Sequence, residues 1–118
     1  MPQTILLQDW KYVSGSSEIV QAETGWLDLA DFTDFAAYLS VKDLSGAPTI
    51  YYETSPSKDN DLFATMASVA PGAAGRTVSI VRYSSASEPL ARWVRWRINA
   101  AAAYTLNFRV WVAAVPTG

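Results

Sequence analysis

Over much of this chain, apolar and polar residues alternate one by one. From Phe35 onward, Phe35, Ala37, Leu39 and Val41 alternate with Tyr38, Ser40 and Lys42. That period places the two sets on opposite faces of a strand, one for a core and one for the outside. Residues 76–84 alternate as cleanly. Strands are expected at 3–13, 18–23, 35–44, 49–55, 62–69, 76–84, 92–99 and 104–115. Turn-forming clusters separate them: Ser-Gly-Ser-Ser after 13, Ser-Gly-Ala-Pro at 45–48, a polar tip at 56–61, Ala-Pro-Gly-Ala-Ala-Gly at 70–75, and a loop at 85–91 broken by Pro89. Residues 24–34 are irregular, with Asp28, Asp31 and Asp34 three apart. No stretch of 11 or more residues keeps the 3.6-residue period of a helix. About eight short strands predict an all-β fold, a two-sheet antiparallel β-sandwich of jelly-roll type. At 118 residues it is read as one domain, 1–118.

The densest pattern is "RWVRWRINAAAAYTLNFRVWVAAV", 92–115. Folded as a hairpin about Ala101, it sets Val94 opposite Phe108, Trp96 opposite Leu106 and Ile98 opposite Tyr104, all on a core face. The other face then carries Trp93, Arg95, Arg97, Arg109 and Trp111, with Trp93 beside Arg109. A slip of one residue would drive arginine into the core, so this register is expected to be well specified. The five outward residues have a bland explanation, cation–π packing of Trp93 on Arg109. They also have a functional one, an interface, since Trp and Arg are enriched at binding hot spots.

Charge sharpens the second possibility. The net charge is −2, but residues 1–61 hold ten acids against three lysines, a net of −7, and residues 62–118 hold six arginines against Glu88, a net of +5. Either the halves interleave and pair locally, or the subunit has an acidic and a basic face suited to neighbours in an assembly.

Composition removes much chemistry. There is no His and no Cys, so the commonest general base, the thiol nucleophile and the thiolate metal site are missing, and no Ser-His-Asp triad is available. The aspartates fall in turns, where capping is the ordinary role. The Asp28, Asp31, Asp34 series and Asp59-Asn60-Asp61 could offer oxygens to calcium, but neither fits the EF-hand pattern. Residues 71–76, Pro-Gly-Ala-Ala-Gly-Arg, lack the Lys-Ser/Thr of a phosphate loop. An isoelectric point near 4.9 argues against nucleic acid. Tyr51, Tyr52 and the tryptophans could stack on sugar rings. No segment reads as a signal peptide or membrane span. The expectation is no enzyme, no catalytic residue, no cofactor, no bound metal, no nucleic-acid partner and no membrane partner.

Two segments carry a resemblance. "LDLADFTDFAAYLSVKDLSGAPTIYYETSPSKDNDLFATM" (27–66) and "ARWVRWRINAAAAYTLNFRVWV" (91–112) contain Asp31-x-x-x-Phe35, Tyr51-x-x-Thr54-Ser55-Pro56-x-x-Asp59 and Arg92-Trp93-x-Arg95-x-Arg97. Together they resemble small β-sandwich virion proteins of tailed bacteriophages. The Thr-Ser-Pro and Arg-Trp-Val-Arg pieces also resemble discoidin-like and carbohydrate-binding sandwiches. The first resemblance implies a capsid decoration, cementing or minor head protein, made in the host cytoplasm and located on the capsid surface of the virion. Its partners would be the major capsid protein or other virion proteins, and it would form a homo-oligomer; the division of charge favours a trimer joined by complementary acidic and basic surfaces. The second implies a glycan-binding module.

Overall fold

Alternation becomes burial most directly in the last strand. In Tyr104–Pro116, the side chains of Tyr104, Leu106, Phe108, Val110, Val112 and Ala114 are buried, and the residues between them are partly open. The computed structural model describes residues 3–82 and 90–116, and among these it holds nine strands. They are β1 (Gln3–Gly15), β2 (Ile19–Val20), β3 (Leu27–Asp28), β4 (Phe32–Ser45), β5 (Thr49–Ser55), β6 (Ala64–Val69), β7 (Gly75–Val81), β8 (Trp93–Asn99) and β9 (Tyr104–Pro116). Two short 3-10 turns, Glu23–Gly25 and Asn60–Leu62, complete the elements.

The strands form two antiparallel sheets. Sheet 1 runs β1-β9-β4-β7; sheet 2 runs β2-β8-β5-β6, with β3 also pairing β8. Among the described strands, β2–β3 and β5–β6 are the successive pairs that stay within one sheet; the other connections pass from one sheet to the other. That is the jelly-roll arrangement expected from the sequence, in two layers with the apolar faces between them. The expected strand at 18–23 shrinks to Ile19–Val20, and the irregular 24–34 stretch holds a 3-10 turn and short β3. The expected loop at 85–91 lies largely outside the described residues, as does the end of the 76–84 strand.

The hairpin over 92–115 does not form. β8 pairs with β5, β2 and β3, whereas β9 pairs with β1 and β4, in the opposite sheet. The core residues proposed for it are nevertheless all buried: Val94, Trp96, Ile98, Tyr104, Leu106 and Phe108. They meet across the sandwich instead of along a ladder. Trp96 meets Phe108 edge to face at 5.1 Å, and Phe35 of sheet 1 meets Tyr52 of sheet 2 in the same way at 6.0 Å. Alternation says which side chains turn inward. It does not say whether their partners lie beside them or above them.

Polar stitches tie the layers. The Trp96 indole N–H donates to Gln8 Oε1 on β1 at 3.0 Å. Buried Gln21 donates to the carbonyls of Leu7 (2.8 Å) and Gly25 (3.0 Å) and accepts from the Trp96 amide (3.2 Å). The β4–β5 turn depends on Gly46. Its φ is +78°, and a Cβ there would lie 2.6 Å from the carbonyl oxygen of Ala103.

Candidate interaction surface

Because β8 and β9 lie in different layers, the five candidate interface residues do not share a face. Trp93, Arg95 and Arg97 point out of sheet 2; Arg109 and Trp111 point out of sheet 1. The expected contact between Trp93 and Arg109 is therefore not made.

The outer face of sheet 2 is closed by the chain itself. Cross-strand pairing sets Glu53 opposite Arg95 and Tyr51 opposite Arg97. The Glu53 carboxylate accepts from Arg95 Nε at 2.9 Å and from Arg97 Nε at 2.8 Å, and Arg97 also reaches Glu18 at 3.0 Å. Arg95 also donates to Asn60 and stacks on Phe63 at 3.9 Å and Trp26 at 5.3 Å. Phe63 and Trp26 touch at 4.8 Å, so the two 3-10 turns meet over this face. Arg95 is left 5% exposed, and Glu53 likewise. Arg95 is thus a buried anchor for loops, which corrects its expected place on an open stripe. Lys58 and Arg92 cover Trp93 at 4.5 and 5.2 Å.

Nearby, Arg92 forks onto Asp28 with bonds of 3.1 and 2.9 Å. The hydrogen bonds donated by Arg92 hold the Asp28 carboxyl below its ordinary range, and donating them to that carboxylate raises the Arg92 guanidinium. Burial works against the charge of Arg97, but its bonds to Glu53 and Glu18 outweigh that and raise it. Acids of the first half thus pair locally with arginines of the second, as interleaved halves require.

The outer face of sheet 1 is different. The ladder sets Leu6, Trp111, Tyr38 and Val78 side by side across all four strands. The next row is Thr4, Ala113, Ala36 and Ile80, and on the other side Arg109, Ser40 and Arg76 align. Trp10 stacks on Arg109 at 4.8 Å. Ile80 is 58% exposed and Trp10 44%. The face is apolar and aromatic, contiguous, and bordered by arginine. Shallow depressions run along it beside Tyr38, Ile80, Ala113 and Val115. Isolated exposed apolar residues are ordinary, but a contiguous patch marks a contact surface.

The outward placement of Trp111 and Arg109 was legible from the sequence. That of Val78, Ile80 and Leu6 was not. In β7 the apolar alternates face outward while Thr77 and Ser79 take the inward register against Leu39 and Ala37. The signal was the clean alternation of 76–84, which is silent about its direction.

Among the described residues, no group of three or more acidic side chains is placed to hold a metal ion, and no helix is long and apolar enough to cross a membrane.

No family model matches the sequence, and no curated protein matches it significantly. Solved structures share its fold. VP2 of infectious bursal disease virus, in a subviral particle, superposes with a TM-score of 0.54 at 12% identity, over 98% of this chain and 33% of VP2. The Gx strain of that virus gives 0.53 at 9% identity, over 100% and 33%. A chain of the Bacillus endospore appendages, which are disulfide-linked pili, gives 0.43 at 14% identity, over 98% and 92%. The chain spans about a third of the length of the viral chains it matches.

Proposed function

We propose that this chain is a non-enzymatic structural protein of a virion, held among its neighbours by the outer face of sheet 1. The observation that carries the reading is the contrast between the two outer faces. One is sealed by the chain's own loops and ion pairs, and the other presents a contiguous apolar surface edged with arginine. Particle-forming viral proteins of the same fold support it. At the finer level, the resemblance of 27–66 and 91–112 favours a decoration, cementing or minor head protein of a tailed phage, bound to the shell and oligomeric. Absence of His and Cys, with Asp28, Glu53 and Glu18 engaged in ion pairs, favours assembly over catalysis. Many copies would let modest single contacts add through multivalency.

A glycan-binding module is the second reading, favoured by Trp10 and Tyr12 exposed along β1. Two assays separate them. Virions from the biological source of the chain are banded on a density gradient and tested for its peptides, and the purified chain is applied to a glycan array. Peptides that stay with the particles, with no glycan retained, are expected. Retention on glycans by a chain absent from the particles would replace the proposal with the second reading.

A further inference from the structure

We infer that the outer face of sheet 1 docks on the 59–62 loop of a second copy of this chain, head to tail. This deepens the assembly part of the proposed function by naming the partner surface. Charges are left over once the internal pairs are formed. The four salt bridges among the described residues consume Arg92, Arg95 and Arg97 on the side of sheet 2. Arg76 and Arg109, on the outer face of sheet 1, take part in none of them. Nor do Glu23, Asp59 and Asp61, which lie in the turns packed over sheet 2. The molecule is therefore polar across its thickness. One outer face is apolar and, apart from Asp34 at one end, basic; the loops on the other are acidic on balance, with Lys58 among Glu23, Asp59 and Asp61.

The acidic side also carries an apolar knob. Leu62 is 51% exposed beside Asp61. Its turn is held rigid: the Asp59 carboxylate accepts from the Asp61 amide at 3.0 Å, and neighbouring Phe63 is stacked on buried Arg95. A preordered loop loses little entropy on docking. Leu62 fits the Tyr38–Ile80 surface by chemistry, and Asp59 and Asp61 fit Arg76 and Arg109 by charge. The two sites face opposite ways on one subunit, so the loop reaches this face only from another copy. A symmetric contact between two sheet 1 faces about an axis along the strands would instead bring arginines against arginines, and about either axis it would leave the acidic loops without a partner. A head-to-tail contact uses two different patches and ends in a ring or a filament according to its rotation.

Sedimentation velocity tests this with two variants. One alters the face (Arg76→Glu with Ile80→Ser); the other alters the loop (Asp61→Lys with Leu62→Ser). The parent is expected to associate as its concentration rises at low salt. Its dissociation constant should rise at least about tenfold towards 1 M salt, where the Debye length is about 3 Å. Each variant alone should sediment as a monomer. Mixed, they should form a two-subunit complex, because each supplies the patch the other lacks. Melting temperatures close to the parent's confirm that both are folded; if a double variant melts early, Ile80→Ser or Leu62→Ser alone takes its place. A parent monomeric at every concentration, a loop variant that self-associates like the parent, a mixture that stays monomeric, or association indifferent to salt would each overturn the inference. A monomeric parent that is retained on virions would overturn it while leaving the virion role intact.

Discussion

Glu53 shows how a single residue can close a surface. Its carboxylate joins two arginines on a sheet face that alternation alone leaves open to solvent. Removing it strands Arg95 in a site 5% exposed. Breaking a buried pair from one side costs roughly 3–5 kcal/mol, because the remaining charge has no compensation. Glu53→Ala is expected to lose that much in chemical denaturation. Arg92→Ala should lose far less, since the Asp28 pair is exposed and screened. Equal losses would mean that the Glu53 network is as solvated as the surface pair.

Tyr52 gives the opposite lesson. It is fully buried, and its hydroxyl finds no hydrogen-bond partner among the described residues. Replacing Tyr52 with Phe removes a buried group left unsatisfied, so the change should be neutral or stabilising by up to about 1 kcal/mol. Burial also pushes the phenol above its ordinary value of 10, and that of Tyr104 in the same direction. Above pH 10 the unfolded chain therefore releases protons that the folded chain keeps, and stability falls as pH rises. Tyr52→Phe should flatten that alkaline limb. An unchanged limb in melts between pH 9 and pH 11 (roughly the span around the ordinary tyrosine value) would point to another group.

At the scale of elements, the strands were readable because burial on one face imposes a period of two. β5 matches its expected span of 49–55, β4 extends its span by three residues at the start and one at the end, and β9 by one at its end. Strand partners were not readable. Residues 100–103 carry the chain from one layer to the other, yet four alanines between alternating strands look like a tight loop. Trp96 is core under either pairing, so Trp96→Ala should cost on the order of 3–5 kcal/mol. A loss below about 1 kcal/mol would contradict its place between the sheets. The β4–β5 turn offers a second check. Gly46→Ala must adopt a strained positive φ and push against the Ala103 carbonyl, so a loss of about 1–3 kcal/mol is expected. Gly72, where an added Cβ meets nothing within 4 Å, is the control position.

At the scale of the molecule, the sequence held the ingredients of the candidate surface but not their distribution. Trp93, Arg95 and Arg97 share one strand with a core set, and Arg109 and Trp111 share another. Which layer each strand joins depends on long-range pairing that no local pattern encodes. Once the layers are known, the arginines divide by role: Arg92, Arg95 and Arg97 fasten acidic loops to sheet 2, and Arg76 and Arg109 border an apolar face on sheet 1. The −7 and +5 halves thus interleave, and a remainder is left on opposite sides.

Retention on virions measures the role of that face most directly. Particles from the biological source are stripped of this chain, incubated with parent or with Ile80→Asp, and pelleted. Ile80 is exposed on the edge strand β7, beside Tyr38 and Ala113, so the variant should fold and melt like the parent. The parent should pellet with the particles, and Ile80→Asp should stay in the supernatant. Equal pelleting of the two would contradict assembly through the outer face of sheet 1.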